Sequence, residues 1–183
     1  RARRLGCVVV FIVCEPTPAV IEEANQYNDI VAVEARFKYH GEDSVLPMME
    51  HIWFQLAVRH AIDAQWIVKS DHDTLLFPDA LVRFLNKQPN PTSHNVYAGA
   101  LFEVTPIRKP GARSYVSEAV YPAVQFPGFM SGGAGYALSM HLARCLTLHT
   151  ATNAFNYFPR SDVRMHIALQ EAGCYPQIVA PSP

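Results

Sequence analysis

The stretch Gln65-Trp66-Ile67-Val68-Lys69-Ser70-Asp71-His72-Asp73 (QWIVKSDHD) decides the fold class. Its apolar centre predicts a buried strand over Gln65–Lys69, and polar residues follow that strand at once. Asp71 and Asp73 are carboxylates one residue apart at the carboxyl end of this strand, a position suited to a hard divalent cation that also contacts a diphosphate. The alternative is an ordinary turn, because Asp is common where strands end.

Strands and helices alternate on both sides of this stretch. The patterns predict further strands over Leu5–Val13, Asp29–Glu34 and Val96–Phe102, and helices over Ala19–Tyr27, Pro78–Asn86, Ser139–Leu148 and Ser161–Gly173. Another helix follows Ser44, with an apolar stripe at Val45, Met48, Met49, Ile52, Trp53 and Leu56. In the last helix we expect Ser161 to be the N-cap and Gly173 the C′ residue. We therefore predict an α/β fold in which helices flank a mostly parallel sheet and ligands bind at the strands' carboxyl ends.

The composition excludes several classes of protein. The 183 residues are 50% hydrophobic and 17% charged, which suits one domain with a large core and excludes disorder. A net charge of −1 offers no footprint for nucleic acid or for an anionic membrane surface. The longest apolar run, Val8–Cys14, is far shorter than the roughly 20 residues of a membrane helix. Cys7 and Cys14 would face opposite sides of a strand and could not pair, so a disulfide elsewhere and unpaired thiols both stay open.

Asp162 is a second candidate for chemistry. It falls in the first turn of the last predicted helix, where the helix dipole favours an ionised carboxylate that can take a proton from a hydroxyl. An ordinary acidic residue at a helix start is the alternative. His166, four residues on, shares its helix face. It could orient Asp162 or approach a metal, although a surface histidine is the commoner case.

The glycine cluster Ser131–Tyr136 (SGGAGY) is not a dinucleotide fingerprint. It lacks the G-x-G-x-x-G spacing and follows an aromatic loop rather than a first strand. Glycines here would let the backbone approach a bulky polar ligand, or would form a tight turn between packed elements. Most of the preceding aromatic residues are explained by core packing.

Four segments together resemble the inverting β-1,3-glycosyltransferases of the galactosyltransferase and N-acetylglucosaminyltransferase group. Trp66–Thr74 (WIVKSDHDT) resembles the group's strand and K-x-D-D-D block, and Tyr115–Ser139 (YVSEAVYPAVQFPGFMSGGAGYALS) resembles its long Y-P…Y-P…G-x-G-Y block. Ser161–Leu169 (SDVRMHIAL) is similar to E-D-V-x-x-G, and Tyr27–Phe37 (YNDIVAVEARF) to Y-x-D-I-I-x-x-D-F. The resemblance extends from about residue 8 to residue 172.

The resemblance implies a GT-A fold, which is a Rossmann-like α/β sandwich, and a single catalytic domain over residues 1–183. That domain would lack the group's first strand and its N-terminal membrane anchor and stem. The implied reaction moves galactose or N-acetylglucosamine from a UDP-sugar to a glycan hydroxyl with inversion, forming a β-1,3 linkage. The acceptor would be a glycan, on a glycoprotein or a glycolipid, with no nucleic acid involved. The implied location is the lumenal side of the Golgi membrane, held there by an anchor outside this chain.

The resemblance also assigns site residues. Asp162 would be the catalytic base, and Asp73 and Asp71 would bind Mn²⁺ or Mg²⁺. The nucleotide-sugar would contact Lys69, Asp71, His72 and Asp73. The cleft would be lined by Tyr121, Pro122, Gly132, Gly133, Gly135 and Tyr136, with His166 as an outer partner of the site.

Met48 and Met49 stand about where the group's N-L-T-x-K segment has its lysine, and three further positions depart from the group's motifs. His72 stands in place of an Asp, Ser161 in place of the Glu before the base, and His166 in place of a Gly. These departures favour an alternative, a catalytically inactive relative that acts as a binding or folding-partner module. A metal-dependent phosphohydrolase is a further alternative, and it would carry additional His or Asp ligands at other strand ends.

Overall fold

The computed structural model describes residues 6–33, 44–61, 63–149 and 158–181. In these ranges it is a mixed α/β structure of five helices and eight strands. The strands are β1 Phe11–Cys14, β2 Ile30–Val33, β3 Trp66–Lys69, β4 Val96–Gly99, β5 Leu101–Phe102, β6 Phe129–Met130, β7 Tyr136–Ser139 and β8 Gln177–Val179. The helices are α1 Pro18–Tyr27, α2 Leu46–His60, α3 Pro78–Leu85, α4 Met140–His149 and α5 Ser161–Glu171. The predicted strand ends at Leu5 and Glu34, and the last residues of the Tyr27–Phe37 segment, lie outside the described residues.

The predicted first βαβ unit forms, but β1 covers only Phe11–Cys14, whereas the prediction was a strand over Leu5–Val13. β1 and β2 are parallel, with Phe11 opposite Ile30, and α1 connects them. Thr17 caps α1, because its side-chain oxygen accepts a hydrogen bond from the Val20 N–H. The helix ends at Asn28, which adopts the left-handed conformation.

The larger sheet is mixed, which corrects the expectation of a mostly parallel one. Its strand order is β3-β7-β4-β8, and β7 runs antiparallel to both β3 and β4 while β8 is parallel to β4. In this register Lys69, the last residue of β3, pairs with Tyr136, the first residue of β7. The antiparallel pairing therefore places the residues after β3 beside the glycine cluster that precedes β7.

The predicted strand Val96–Phe102 is two strands. β4 pairs with β7, whereas β5 pairs with β6 in a separate two-stranded sheet, with Leu101 opposite Met130. Between them the Ala100 carbonyl accepts a hydrogen bond from the Ser131 N–H. The chain thus changes partner at Ala100.

Helices α2, α4 and α5 form the main core with the larger sheet, where Phe54, Leu138, Leu142 and Met165 are fully buried. The predicted stripe of α2 is confirmed in part: Val45 and Met49 are buried and Trp53 packs against the core, whereas the other three positions are half-buried. The buried face of the helix comprises Pro47, Met49, Glu50, His51, Phe54 and Ala57. Because α2 packs against both α4 and α5, its buried residues face these helices, and they include the polar residues Glu50 and His51.

A disulfide between Cys145 and Cys174 links α4 to the segment after α5. Gly173 is the C′ residue of α5, as predicted: its φ is +68°, its N–H donates to Gln170, and the Cys174 N–H donates to Leu169. Within the described ranges, no helix combines the length and the apolarity needed to cross a membrane.

Candidate functional site

The predicted D-x-D segment lies at the end of β3, beside a turn over Gly132–Gly135. The Gly135 N–H closes this turn by donating to the Gly132 carbonyl across 3.1 Å, and Gly135 has a φ of +86°, which favours glycine. Thr74 fastens the two segments together, because its hydroxyl donates to the Gly133 carbonyl. Asp71 Oδ2 is 3.7 Å from the point that a methyl carbon on Gly133 would occupy.

Gly132 is the point of closest approach. A methyl carbon at this position would lie 2.7 Å from Lys69 Nζ and 3.5 Å from the Asp162 Cβ. The Gly132 N–H donates to Asp162 Oδ2 across 3.3 Å. The absence of a side chain is therefore what lets Lys69 and Asp162 reach the same turn.

Asp162 is in the first turn of α5, as predicted. The Val163 N–H donates to its Oδ1 across 2.9 Å, and Arg160 Nη2 lies 3.4 Å from its Oδ2. The Arg160 guanidinium in turn lies over the Phe129 ring, 4.9 Å from its centroid. These contacts fix the direction in which the carboxylate points.

Glu50 is a component of the site that sequence reasoning missed. From α2 its buried carboxylate meets three groups: Ser161 donates to Oε1 across 2.7 Å, Tyr136 donates to Oε2 across 3.1 Å, and Lys69 Nζ lies 3.4 Å from Oε1. The signal available in the sequence is a Glu that directly follows the apolar run Leu46–Met49 in α2. A charged side chain is seldom buried unless it has partners. The prediction that Ser161 is the N-cap of α5 is wrong. Arg160 occupies the cap position, and the Ser161 hydroxyl bonds to Glu50 instead.

Electrostatics link this carboxylate to the D-x-D segment through Lys69. Burial raises the pKa of Glu50, an effect that the Lys69 ammonium and the hydroxyls of Ser161 and Tyr136 oppose. Burial alone would lower the pKa of Lys69, but the carboxylates of Glu50 and Asp71 together raise it, so the ammonium stays charged. Lys69 Nζ is 2.5 Å from Asp71 Oδ1. One cation is therefore shared by two carboxylates.

Asp71 and Asp73, the two carboxylates predicted to bind a divalent cation, follow the end of β3. Asp73 and the intervening His72 are exposed, and Asp71 is half-buried. Within the described residues, no group of three or more His, Cys, Asp or Glu side chains forms a closed metal site. A pair of carboxylates still fits a cation that keeps water and shares its coordination with phosphate oxygens.

The other predicted cleft residues divide into two groups. Tyr121 is half-buried and packs against Phe126 and Phe158, and Pro122 is exposed. Tyr136 does not line an open cleft, because its ring is buried in the core edge-on to Tyr97. Its hydroxyl contacts the site by donating to the Glu50 carboxylate.

His166 is buried, so the expectation of a surface histidine is wrong. Its ring is 6.1 Å from that of Tyr97, and burial lowers its pKa. The residue therefore packs as a neutral imidazole in the core beneath Asp162, one helical turn along α5.

The mixed α/β fold brings Asp71, which follows a strand end, and Asp162, which lies at a helix start, to one glycine turn. The chain belongs to the galactosyltransferase family, whose sequence profile matches residues 11–179. It is 30% identical over 180 residues to a Homo sapiens acetylgalactosaminyl-O-glycosyl-glycoprotein beta-1,3-N-acetylglucosaminyltransferase, a match that covers 91% of this chain and 44% of the relative.

Other relatives carry similar names. The chain is 28% identical over 167 residues to UDP-GlcNAc:betaGal beta-1,3-N-acetylglucosaminyltransferase 7 of Rattus norvegicus, covering 85% of this chain and 40% of the relative. It is 29% identical over 126 residues to Beta-1,3-galactosyltransferase 2 of Homo sapiens, covering 68% and 29%. The chain thus spans less than half the length of these relatives.

Proposed function

We propose that this chain forms the catalytic region of a hexosyltransferase with the GT-A architecture. It transfers galactose or N-acetylglucosamine from a UDP-sugar to a glycan hydroxyl with inversion and forms a β-1,3 linkage. The observation that carries the proposal is the convergence of Asp71 and Asp162 on the turn Gly132–Gly135. Family membership and the names of the relatives support the class of reaction.

Asp162 is the general base in this proposal. Its carboxylate is held by the N–H groups of Gly132 and Val163 and by Arg160, and a base held in one direction can meet an incoming hydroxyl. It accepts the proton of the acceptor hydroxyl as that oxygen bonds to the anomeric carbon. The bond from this carbon to the diphosphate oxygen breaks, and UDP leaves. A single displacement of this kind inverts the anomeric centre.

Asp71 and Asp73 are the residues that would hold Mn²⁺ or Mg²⁺. Asp71 Oδ2 lies beside Gly133, in the turn that precedes β7. When bound, such a cation offsets the charge that develops on the departing nucleoside diphosphate. Lys69 and His72 flank the same end of β3 and complete the proposed donor-binding set.

The proposed location is the lumen of the Golgi. The Cys145–Cys174 disulfide supports an oxidising compartment, because structural disulfides are rare where thiols are kept reduced.

One contact favours the second candidate, a catalytically inactive binding module. The Lys69 ammonium is paired with Asp71, and a cation would have to compete with it. An inactive relative would bind UDP without turnover.

Calorimetry with UDP, in the presence and absence of Mn²⁺, tests the proposal. We expect binding that requires Mn²⁺ and release of UDP from UDP-galactose or UDP-N-acetylglucosamine when β-galactoside or N-acetylgalactosaminide acceptors are added. Asp73→Ala should abolish the Mn²⁺-dependent binding. Asp63→Ala, an exposed carboxylate three residues before β3, should leave it unchanged. Binding without turnover would establish the second candidate, and no binding would overturn both.

A further inference from the structure

Glu50 is a buried acid that the proposed reaction does not use directly. It lies on α2, more than a hundred residues before α5, yet it bonds to the first residue of that helix. Its carboxylate is within reach of three elements: Lys69 ends β3, Tyr136 begins β7, and Ser161 begins α5. A buried carboxylate is costly unless each oxygen is satisfied, and here both oxygens have partners.

The contacts of Glu50 join the two halves of the site. On one side Lys69 connects it to Asp71, and on the other Ser161 precedes Asp162 directly in the chain. We propose that Glu50 is a positioning residue, whose carboxylate fixes Lys69 and Ser161 and thereby sets the separation of Asp71 and Asp162 across the glycine turn. This inference rests on the proposed function for its catalytic consequence.

The charge of Glu50 matters as well as its hydrogen bonds. While Glu50 shares the Lys69 ammonium, Asp71 is only partly neutralised and can still bind a cation. Without the Glu50 charge, Lys69 would be drawn entirely to Asp71. The Glu50 carboxylate therefore keeps Asp71 available to a cation, and through Ser161 it also holds Asp162, the proposed base, in place.

A side chain at position 161 offers a second way to place a carboxylate between Lys69 and the start of α5. The pattern that Ser161–Leu169 resembles is E-D-V, in which a Glu stands where this chain has Ser161. The Ser161 oxygen lies 2.7 Å from Glu50 Oε1, and a glutamate side chain continues two bonds beyond the position of a serine oxygen. A Glu at 161 could thus place its carboxylate where that of Glu50 now lies.

Two variants test the role. Glu50→Gln keeps the shape and removes the charge, and we expect kcat for UDP release to fall about 10- to 100-fold, with weaker Mn²⁺–UDP binding. Glu50→Ser alone should lose at least as much. Glu50→Ser combined with Ser161→Glu returns a carboxylate to the same place and should regain most of that loss. Glu22→Gln, an exposed acid on α1, is the matched control.

A second readout does not depend on activity. Amide hydrogen exchange at Gly132 and Val163, the two N–H groups that hold Asp162, should be about tenfold faster in Glu50→Gln than in the unmodified chain. If the unmodified chain neither binds nor turns over UDP, the proposed function fails and this exchange alone decides the positioning role. Unchanged exchange and kcat in Glu50→Gln would overturn the inference. A combined variant no better than Glu50→Ser would also overturn it, since packing and not the carboxylate would then be what matters.

Discussion

The Gly132 N–H donates to Asp162 Oδ2 across 3.3 Å, although the two residues are 30 positions apart in the chain. A methyl carbon on the same glycine would lie 2.7 Å from Lys69 Nζ and would displace the end of that side chain. This one backbone position therefore affects where two groups lie: the carboxylate of Asp162, the proposed base, and the Lys69 ammonium, which contacts Asp71. The neighbouring Gly133 is less crowded, because a methyl carbon there would lie 3.7 Å from its nearest atom.

Gly132→Ala should impair the site more than Gly133→Ala. The added methyl at Gly132 would lie 2.7 Å from Lys69 Nζ and must displace it, whereas at Gly133 the nearest atom, Asp71 Oδ2, is at an ordinary 3.7 Å. We expect kcat to fall about tenfold or more in Gly132→Ala and less than threefold in Gly133→Ala. Thermal unfolding of both variants distinguishes displacement of Lys69 in a folded chain from loss of the fold. Equal losses of activity would show that the space beside Lys69 is unimportant.

Asp162→Asn tests the proposed base. The amide preserves volume but keeps an acceptor oxygen at only one of the two positions where Asp162 accepts, and it cannot take the proton. Turnover should therefore fall by about two to four orders of magnitude. UDP affinity should change little, since the diphosphate is assigned to the segment after β3. Transfer and UDP binding are measured on the same preparation. A parallel loss of both would make Asp162 a structural residue, and full activity would remove it from the mechanism.

Local features of the fold were predictable from the sequence. α5 and its C′ glycine follow from apolar spacing and from the conformational freedom of Gly173, which a few neighbouring residues determine. β3 and the polar residues after it follow in the same way. Such features depend on interactions between residues close in sequence, and these are visible in a single chain.

Long-range partners were not predictable. The antiparallel insertion of β7 beside β3 depends on pairing across almost 70 residues, which no local pattern encodes. Ser161 carries a strong N-cap signal, but the buried carboxylate of Glu50 takes its hydroxyl. The two motifs of the site were therefore predictable from the sequence. The role of Glu50, which connects them, depends on the packing of α2 against α5.

His51 makes the stability of the fold depend on pH. Burial lowers the pKa of this α2 histidine to about 4, and its ring nitrogen lies 3.0 Å from Gln55 Nε2. Because the unfolded chain binds the proton more readily, this contribution is complete above pH 6.5 and is lost as pH falls toward 4. We expect the free energy of unfolding to fall over that range, and to fall less in His51→Gln.

The control for this prediction is His60→Gln, an exposed histidine at the end of the same helix. It should keep the slope of the unmodified chain. Chemical denaturation at pH 4, 5, 6 and 7 measures all three proteins. Glu50, whose raised pKa acts in the opposite direction, is present in each and cancels in the comparison. Identical slopes in His51→Gln and the unmodified chain would contradict the assignment.

Arg108 organises the loop that carries Tyr121 and Pro122. Its guanidinium donates to the carbonyls of Val116, Tyr121 and Ala123 at 2.7–2.8 Å. Arg108→Met keeps the aliphatic stem but loses these charge-assisted bonds, and the free energy of unfolding should fall by about 2 kcal/mol. Lys109→Met, its exposed neighbour, removes the same charge and should change stability by less than about 0.5 kcal/mol. Similar losses in both variants would mean that net charge matters and not the three carbonyl contacts.

The Cys145–Cys174 disulfide holds the end of α5 against α4, and its removal should destabilise the whole core. The bond joins residues 29 positions apart, and chain-entropy arguments give about 3–4 kcal/mol for closing a loop of that size. We expect Cys145→Ala combined with Cys174→Ala to lower the free energy of unfolding by about that amount. Dithiothreitol supplies the control, because it should lower the Tm of the unmodified chain and leave that of the double variant unchanged. Since α5 carries Asp162 at its other end, reduction should also lower kcat before the chain unfolds. A Tm that does not respond to dithiothreitol in the unmodified chain, with the thiols shown to be reduced, would assign the stability of this region to apolar packing alone.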